Sequence, residues 1–379
     1  MRIALVLDLW DPGRGGLESW AARWAAWLAG RGHDVHAVCR ETPVRTTGDL
    51  TLHPAGRPRP VSPLRAAEQL SEIARGIGAD LVHDLGAGLG GDVFHPFLGA
   101  RRTGSKARLA ALDPLRRLLC LASPRRIVRE AAIERLERLQ ARGPGRLVIA
   151  SSRRVASDLV RLAGADPDRL RVVPNPPDLR VRPADGSREE VRAANGWGRE
   201  TTVFLQIARD PALDGLATSL RAVRLLRRRG FEVHLAVAGR FPAGDRFRFL
   251  AERLGIAERV SFLGPVEDPG PLLGAVDALV QPAFHDACSL ACVDALAAGL
   301  PVAVSVRDGA SELVTDGVQG WLIRNPADPH EVAFQMKRLL DPGLRGALVA
   351  QAAVLAGLHG EPETFGALER LLLDELEHR

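Results

Sequence analysis

Short apolar runs alternate with amphipathic stretches along most of this chain. Such alternation indicates βα units whose strands assemble into parallel sheets. In the first half we predict strands at Ile3–Leu9, Val35–Cys39, Leu81–His83, Leu147–Ala150 and Arg171–Val173. In the second half we predict strands at Val203–Ile207, Val233–Ala238, Val260–Phe262, Ala278–Gln281, Val302–Val304 and Leu322–Ile323. The pattern therefore predicts an α/β protein with two sets of strands.

A Pro-rich, polar stretch from Pro174 to Gly198 separates the two sets. This composition is typical of a linker between domains. With 379 residues the chain is long enough for two domains with sizeable cores. The simplest architecture is two doubly wound, Rossmann-like domains that face each other across a cleft.

The composition narrows the class of protein. The net charge is +5, but the basic residues are not interleaved with aromatic ones and form no known motif, so we predict no nucleic-acid partner. The four cysteines (Cys39, Cys120, Cys288 and Cys292) form no CxxC pair, which suits a reducing compartment. No run of eighteen apolar residues occurs, and the chain starts directly with a strand. We expect a cytoplasmic protein without a spanning helix.

Residues 286–301 carry the most informative chemistry. They lie between two predicted strands, and their middle part has helical composition from about Ser289 onward. A helix that begins there starts at the carboxyl edge of a parallel sheet, where open α/β sheets bind ligands. Its free backbone N–H groups attract an anion such as a diphosphate. We expect this anion to contact the Ser289 hydroxyl and the backbone amides of Ala287, Cys288, Ser289 and Leu290.

Two carboxylates eight positions apart flank this helix start. Asp286 would contact sugar hydroxyls or steady charge that develops at the anomeric carbon, and Asp294 would accept two hydrogen bonds from a ribose cis-diol. The alternative for Asp286 is a helix cap, and the alternative for Asp294 is a place on a solvated helix face. Taken together, the spacing predicts a nucleotide-sugar site.

The segment resembles the Glu-x7-Glu signature of family-4 retaining glycosyltransferases, with aspartate in place of both glutamates. The resemblance continues through Gly309, Glu312, Asp316-Gly317 and Gly320-Trp321, and upstream through residues 259–284 and 146–178. It implies the GT-B fold, with an acceptor-side domain at 1–180 and a nucleotide-sugar-binding domain at 181–358. It also implies a C-terminal helix, within 359–379, that returns to pack on the first domain.

A glycine turn follows the first strand. Gly15 and Gly16 lack the spacing of a dinucleotide fingerprint, which disfavours a Rossmann dehydrogenase. Members of the family carry a similar turn, whose backbone approaches the donor phosphates, so the resemblance implies this role here. The alternative is a tight turn that only starts the next helix. The tryptophans of that helix, Trp20, Trp24 and Trp27, have the spacing of a core face.

One departure from the family concerns the charge that neutralises the leaving diphosphate. Related enzymes carry an Arg and a Lys shortly before the glycine that corresponds to Gly215, whereas this chain has Ala212, Leu213 and Asp214. A carboxylate beside a diphosphate is unfavourable in a partly dry site. Arg209 and Arg240 are the candidates to supply the missing positive charge. Without them the chain would be an inactive relative.

The first domain offers two further candidates. His83 ends a strand, and Asp92 follows a Gly-rich loop. The family often places a His or Asp here, near the transferred sugar, so we assign His83 and Asp92 to substrate positioning or proton handling. The alternative for His83 is a histidine satisfied by a loop carbonyl.

Residues 101–129 combine leucines at helical spacing with nine basic side chains and one acid, Asp113. Basic residues along an apolar helical face suit an anionic bilayer surface. The region resembles the matching segment of lipopolysaccharide-core glucosyltransferases, which act at the inner leaflet. The alternative is a solvated, Arg-rich surface.

These observations favour a retaining glycosyltransferase that needs no metal or other cofactor. It would move a hexose from a nucleoside-diphosphate sugar, most simply a UDP-sugar, to a saccharide or lipid-linked acceptor, in lipopolysaccharide or other cell-envelope glycan synthesis. Catalysis would rest on positioning and on stabilising the leaving diphosphate. The alternative is a catalytically inactive, glycosyltransferase-like binding protein. An epimerase of the same fold lacks supporting residues.

Overall fold

The computed structural model describes residues 1–44, 50–56, 62–112, 114–143, 145–178, 187–241, 246–348 and 360–378. The chain divides into two compact units. The first unit comprises Met1–Lys106, Pro114–Pro174 and Pro362–Arg379, and the second comprises Ala107–Asp113 and Asn175–Glu361. The predicted boundaries at 180/181 and 358/359 lie outside the described residues.

The first unit is built on a parallel sheet with the strand order β3-β2-β1-β4-β5-β6-β7. Its strands are β1 (Arg2–Leu9), β2 (Asp34–Glu41), β3 (Leu50–Pro54), β4 (Leu81–Asp84), β5 (Val93–Phe94), β6 (Leu147–Ala150) and β7 (Leu170–Val172). The central strands are continuous apolar runs because helices cover both faces of a parallel sheet. The sequence pattern did not reveal β3, a half-exposed edge strand, or β5, which has only two residues.

The second unit contains a parallel sheet with the order β10-β9-β8-β11-β12-β13. Its strands are β8 (Thr202–Ile207), β9 (Val233–Ala238), β10 (Val260–Gly264), β11 (Ala278–Gln281), β12 (Val302–Ser305) and β13 (Gly320–Ile323). All six were predicted, and the predicted fold class of two Rossmann-like parallel sheets is confirmed.

Helices connect the strands in both units. The α-helices named below are α1 (Leu17–Gly30), α2 (Pro63–Gly76), α3 (Arg101–Ala110), α4 (Pro114–Leu121), α5 (Pro124–Ala141), α6 (Arg153–Asp158), α7 (Ser187–Ala194), α8 (Leu216–Arg228), α9 (Arg246–Leu254), α10 (Gly270–Ala275), α11 (Leu290–Ala297), α12 (Pro329–Arg338) and α13 (Glu361–Glu377). Short 3-10 turns lie at Pro12–Arg14, Pro167–Arg169, Ala257–Arg259 and Gly309–Leu313, and a π-helical turn at Leu159–Ala163. Among the described residues, no helix is both long and apolar enough to cross a membrane.

The C-terminal helix α13 is part of the first unit, where it packs on α1. The ring of Phe365 lies 5.7, 5.2 and 6.0 Å from the rings of Trp20, Trp24 and Trp27. Trp20 and Trp24 are fully buried, as expected for a core face. Glu369 of α13 also accepts a hydrogen bond from Arg31, just after α1. The aromatic stripe of α1 is therefore the docking surface for the last helix of the chain.

The strand order of the second sheet reverses between β8 and β11. At such a switch point the loops after the two strands diverge and leave room for a ligand. The loop after β8 ends at Gly215, and the loop after β11 leads to α11. Gly215 has φ +75°, and a Cβ atom there would overlap the carbonyl oxygen of Pro282. The Phe284 amide also donates to the Leu213 carbonyl at 2.8 Å. The two loops are therefore held against each other at the carboxyl edge of the sheet.

Candidate active site

The candidate site is organised by the start of α11. Ser289 is the N-cap, and its hydroxyl accepts a hydrogen bond from the Cys292 amide at 3.4 Å. Cys292, Val293, Ala295 and Leu296 are buried, which fixes the helix against the sheet. The predicted helix start near Ser289 is therefore present, directly after β11 and at the switch point. Its N-terminal end provides the partial positive charge that an anion requires.

Two carboxylates accept hydrogen bonds from backbone amides at this helix start. The Cys288 amide donates to Oδ1 of Asp286 at 3.1 Å, and the Ser289 amide donates to Oδ1 of Asp308 at 3.0 Å. The first bond is a local turn just before the N-cap Ser289, so Asp286 is not itself the cap of α11. The Cys288 and Ser289 amides, both predicted to hold a diphosphate, are thus paired with protein oxygens in this structure.

Asp308 escaped the sequence analysis although it is central to the site. It is fully buried at the end of the segment after β12, and Oδ1 also accepts from the Ala310 amide at 2.9 Å. Its backbone runs beside that of Asp286, because the Gly309 amide donates to the Asp286 carbonyl at 3.0 Å. Burial and the nearby Asp286 charge raise the pKa of Asp308, against the opposing effect of the two amide donors. An aspartate just before a short helical turn was the only signal in the sequence.

Asp214 does not present a free carboxylate to a ligand. Its side chain is 5% exposed, and Oδ2 accepts a hydrogen bond from the Asp210 amide at 2.7 Å. Burial, followed by the charge of Asp286, raises its pKa to about 8, and Arg209 acts in the opposite direction. The carboxyl group is therefore mostly protonated at neutral pH. The charge repulsion expected from the sequence is reduced for this reason.

Arg209 and Arg240 follow β8 and β9, which are paired neighbours in the sheet. Both side chains are exposed at the carboxyl edge. Gly239 brings the two strand ends together, because its φ is +151° and a Cβ atom there would overlap the carbonyl oxygen of Ala208. The structure thus places both candidate arginines on the same edge as the start of α11.

Asp294 lies on α11, but its carboxylate already has a partner. Oδ1 accepts a hydrogen bond from the Asp178 amide at 2.8 Å. The Asn175 side chain of the same segment donates to the Cys288 carbonyl, also at 2.8 Å. Residues 175–178 therefore lie along the first half of α11. Asp294 is partly exposed, and its ribose contact stays a prediction.

In the first unit, His83 is fully buried at the end of β4. Its Nδ1 accepts a hydrogen bond from the Trp24 indole at 3.3 Å, so its partner is an indole and not the loop carbonyl considered above. Its ring stacks on His95 with centroids 5.5 Å apart. Burial lowers the pKa of His83 well below its ordinary value and lowers that of His95 to about 3. Both imidazoles are neutral, and a part for His83 in proton handling stays a prediction.

Asp92 has a structural partner as well. Its carboxylate accepts a hydrogen bond from the Val82 amide at 2.6 Å, which ties β5 to β4. The Gly-rich loop between these strands wraps around Asp84, whose Oδ1 accepts from the amides of Gly86, Ala87 and Gly88. These hydrogen bonds hold the loop in place. The Asp92 carboxylate has a structural partner within the protein, so its position does not require a ligand. The assignment of Asp92 to substrate positioning stays a prediction.

Gly15 and Gly16 adopt φ values of +80° and +64° directly before α1. L-residues rarely adopt these angles, so glycine is needed for the turn itself. Gly16 is the N-cap of α1, and its carbonyl accepts from the Trp20 amide at 3.0 Å. The turn is therefore needed to start the helix. The contact of its backbone with donor phosphates stays a prediction.

Comparison with protein families identifies the chain. Residues 14–181 match the family model described as Glycosyltransferase Family 4, and residues 187–352 match the model described as Glycosyl transferases group 1. The chain belongs to these glycosyltransferase families. Its two parallel sheets are those of the GT-B fold.

Among curated relatives of this chain, the D-inositol 3-phosphate glycosyltransferase of Mycobacterium marinum is 35% identical over 208 residues. The match covers 52% of this chain and 43% of the relative, so the chain spans less than half the length of that protein. Among solved structures, WaaG, a glycosyltransferase involved in lipopolysaccharide biosynthesis, superimposes with a TM-score of 0.81 at 22% identity. That superposition covers 98% of this chain and 99% of WaaG.

A second solved structure is Anabaena Alr3699/HepE in complex with UDP and glucose. It superimposes with a TM-score of 0.73 at 17% identity and covers 98% of this chain and 99% of its own. At these identities the two structures show the fold of this chain and do not identify its substrates.

Proposed function

We propose that this glycosyltransferase transfers a hexose, with retention, from a nucleoside-diphosphate sugar to a saccharide or lipid-linked acceptor. The observation that carries the proposal is the pair Asp286 and Asp294 at the start of α11, on the switch-point edge of the second sheet. The family membership supports the reaction class. UDP is the nucleotide we favour, because a structure of the same fold, Anabaena HepE, is described in complex with UDP and glucose.

In the second unit we assign the donor contacts. The N-terminal end of α11 and the side chains of Arg209 and Arg240 would stabilise the leaving diphosphate. Asp294 would bind the ribose, and Asp286 would bind hydroxyls of the transferred sugar. Each aspartate reaches one methylene less far than a glutamate, so the donor lies closer to α11 than it would with the longer side chain. No step in this scheme needs a metal, because fixed dipoles and arginines carry the charge.

For the first unit we propose acceptor binding. His83, near the end of strand β4, and the turn at Gly15 and Gly16, which follows β1, lie at the carboxyl edge of its sheet, where α/β sheets bind ligands. Asp92 directly precedes β5 and lies towards the opposite edge, so the sheet geometry does not support its assignment to substrate positioning. The acceptor class follows from two similar proteins. WaaG is described as a glycosyltransferase involved in lipopolysaccharide biosynthesis, and the curated relatives carry the name D-inositol 3-phosphate glycosyltransferase. We propose that the acceptor is a saccharide or a lipid-linked saccharide in cell-envelope glycan synthesis. The similarity to WaaG supports this class of acceptor, and so does an exposed surface that suits a membrane.

Part of the basic segment 101–129 lies on an exposed apolar surface. Leu118, Leu119, Ile127 and Val128 of α4 and α5 are each more than 60% exposed. Exposed arginines adjoin them in the sequence, namely Arg116, Arg117, Arg125 and Arg129. Apolar side chains flanked by arginines fit the interface of an anionic bilayer. We propose peripheral contact with the cytoplasmic face of the membrane. Asp113, the one acid of the segment, lies outside the described residues.

The test is the anomeric configuration of the product. Retaining transferases slowly pass the sugar of the donor to water when no acceptor is present, so UDP-α-glucose should yield α-glucose first. Proton NMR separates the α and β anomers within minutes, before mutarotation mixes them. Early α-glucose supports retention, and early β-glucose contradicts it. The variant Asp286→Asn keeps an oxygen for the Cys288 amide but not the charge, and should lower the rate.

The second candidate is a binding protein without turnover. The observation that favours it is the pairing of the Cys288 and Ser289 amides with Asp286 and Asp308. If UDP and UDP-glucose bind but no glucose is released from UDP-glucose, with or without an acceptor extract, this candidate replaces the enzyme.

A further inference from the structure

Asp308 is an unusual helix cap. As N-cap of the 3-10 turn Gly309–Leu313 it accepts from the amide two residues later, as Asp328 does for α12. Asp328 serves only its own helix in this way, whereas the same Oδ1 atom of Asp308 also accepts from Ser289, 19 residues earlier in the chain. Asp308 therefore bonds to the starts of two helical segments at once.

The second of these bonds lies where an anion would bind. Ser289 is the N-cap of α11, and its amide is one of those that a diphosphate would use. The other oxygen, Oδ2, lies 3.8 Å from the Cys292 sulfur in the first turn of α11. With no exposed surface, the Asp308 carboxyl group fills the space in front of this turn. A ligand anion drawn to the same amides would meet it.

The charged side chains that act most on Asp308 are themselves acids. Asp286 faces it from the loop after β11 and Asp214 from the loop after β8. The thiols of Cys288, just before α11, and of Cys292, in its first turn, have pKa values raised by burial, so they stay neutral. The backbone amides of Ser289 and Ala310 are the groups that favour the ionised form of Asp308.

We propose that the carboxyl group of Asp308 holds the place of the donor diphosphate at the start of α11, so that donor binding has to displace it. This makes Asp308 the residue that sets the affinity for the donor. The inference rests on the proposed function and concerns the same site. An internal acceptor satisfies the buried amides while no donor is bound, because unpaired buried amides are costly.

Calorimetric titration with UDP and with uridine tests this proposal. In Asp308→Ala the amides of Ser289 and Ala310 lose their internal acceptor, and we expect UDP to bind about tenfold more tightly than to wild type. Uridine has no diphosphate, so its affinity should not change. Asp308→Asn keeps an oxygen for the amides but cannot ionise, and should tighten UDP binding by less, about threefold.

Asp328→Ala is the matched control, because it removes the same type of cap from the same unit. It should leave the affinity for UDP unchanged. Thermal unfolding provides a second readout: Asp308→Ala should melt at a lower temperature than wild type while it binds UDP more tightly. A purely structural role would lower the melting temperature and weaken binding together.

The outcomes separate this inference from the proposed function. If wild type binds UDP and neither Asp308 variant binds it more tightly, the inference is overturned and the donor site stands. If Asp308→Ala does not fold, Asp308→Asn decides in the same way. Binding of UDP by Asp308→Ala but not by wild type supports the inference. Absence of binding in every variant overturns both.

Discussion

The buried carboxyl group of Asp214 should make the stability of the protein depend on pH. In the folded state its pKa is about 8, against an ordinary value of 3.8. Between these values the folded protein holds a proton that the unfolded chain has released. Because the folded state binds more protons, its stability falls as the pH rises through this window, and the loss is complete above about pH 8.

The size of the effect follows from the shift. Each pH unit within the window costs about 1.4 kcal/mol of unfolding free energy, so the ionisation of Asp214 removes up to about 4 kcal/mol between pH 5 and pH 8. The variant Asp214→Asn has no proton to lose, and its side-chain oxygen still accepts from the Asp210 amide. We expect the variant to gain stability relative to wild type as the pH rises.

The assay is urea denaturation of both proteins at several pH values from 5 to 9. The difference between the unfolding free energies of the two proteins at each pH cancels the contributions of the other ionisable groups. We predict a difference that grows up to pH 8 and then stays constant. Asp328→Asn, a partly exposed cap in the same unit, should give a difference from wild type that does not vary with pH. Parallel curves for Asp214→Asn and wild type would refute the account of Asp214.

Three further predictions concern glycine geometry, the docking of α13 and the membrane surface. Gly215→Ala should lower the unfolding free energy by more than about 2 kcal/mol, because the new Cβ atom overlaps backbone atoms. Gly230 has a similar φ but open space around it, so Gly230→Ala should lower the unfolding free energy by only about 1 kcal/mol in urea denaturation. Phe365→Ala should lower stability by about 3 kcal/mol and Leu373→Ala, on the exposed side of α13, by less than about 1 kcal/mol. Leu118→Glu should release the protein from phosphatidylglycerol vesicles in a flotation assay and should not change its urea midpoint, and unchanged flotation would exclude α4 from the contact.

The sequence predicts the strands of the second sheet well because most of them contain three or four consecutive apolar residues. It fails for β5, which consists of Val93 and Phe94 only, and for β3, whose half-exposed edge lacks an apolar signal. Short and edge strands are defined by their neighbours in the sheet, and that information is not local. The helix start at Ser289 was predictable because capping and sheet position are local properties.

The carboxylates show the limit of the same reasoning. Asp286 and Asp294 stand out by their spacing, but Asp308 reaches the Ser289 amide only through the parallel register of neighbouring segments. The burial of Asp214 likewise comes from the turn that Gly215 forces against the next loop. Hydrogen-bond partners of this kind are set by tertiary contacts, so the sequence gives the residue types near the site but not their charge state.

The residues of the first unit illustrate the same point. His83 has the position of a functional histidine, yet its indole partner comes from α1 and its stacking partner His95 comes from the end of β5. No local pattern connects these three elements. Their packing is what makes both imidazoles neutral.

The central claim is a nucleoside-diphosphate-sugar site at the start of α11. Calorimetric titration of the wild-type protein with UDP, UDP-glucose and GDP-mannose, without added metal, tests it most directly. Asp294→Asn, which keeps an oxygen for the Asp178 amide, serves as the site variant. The account predicts that one nucleotide binds to wild type and that Asp294→Asn binds it at least about tenfold more weakly. Equal affinity in the two proteins, or no binding of any nucleotide to wild type, would contradict it.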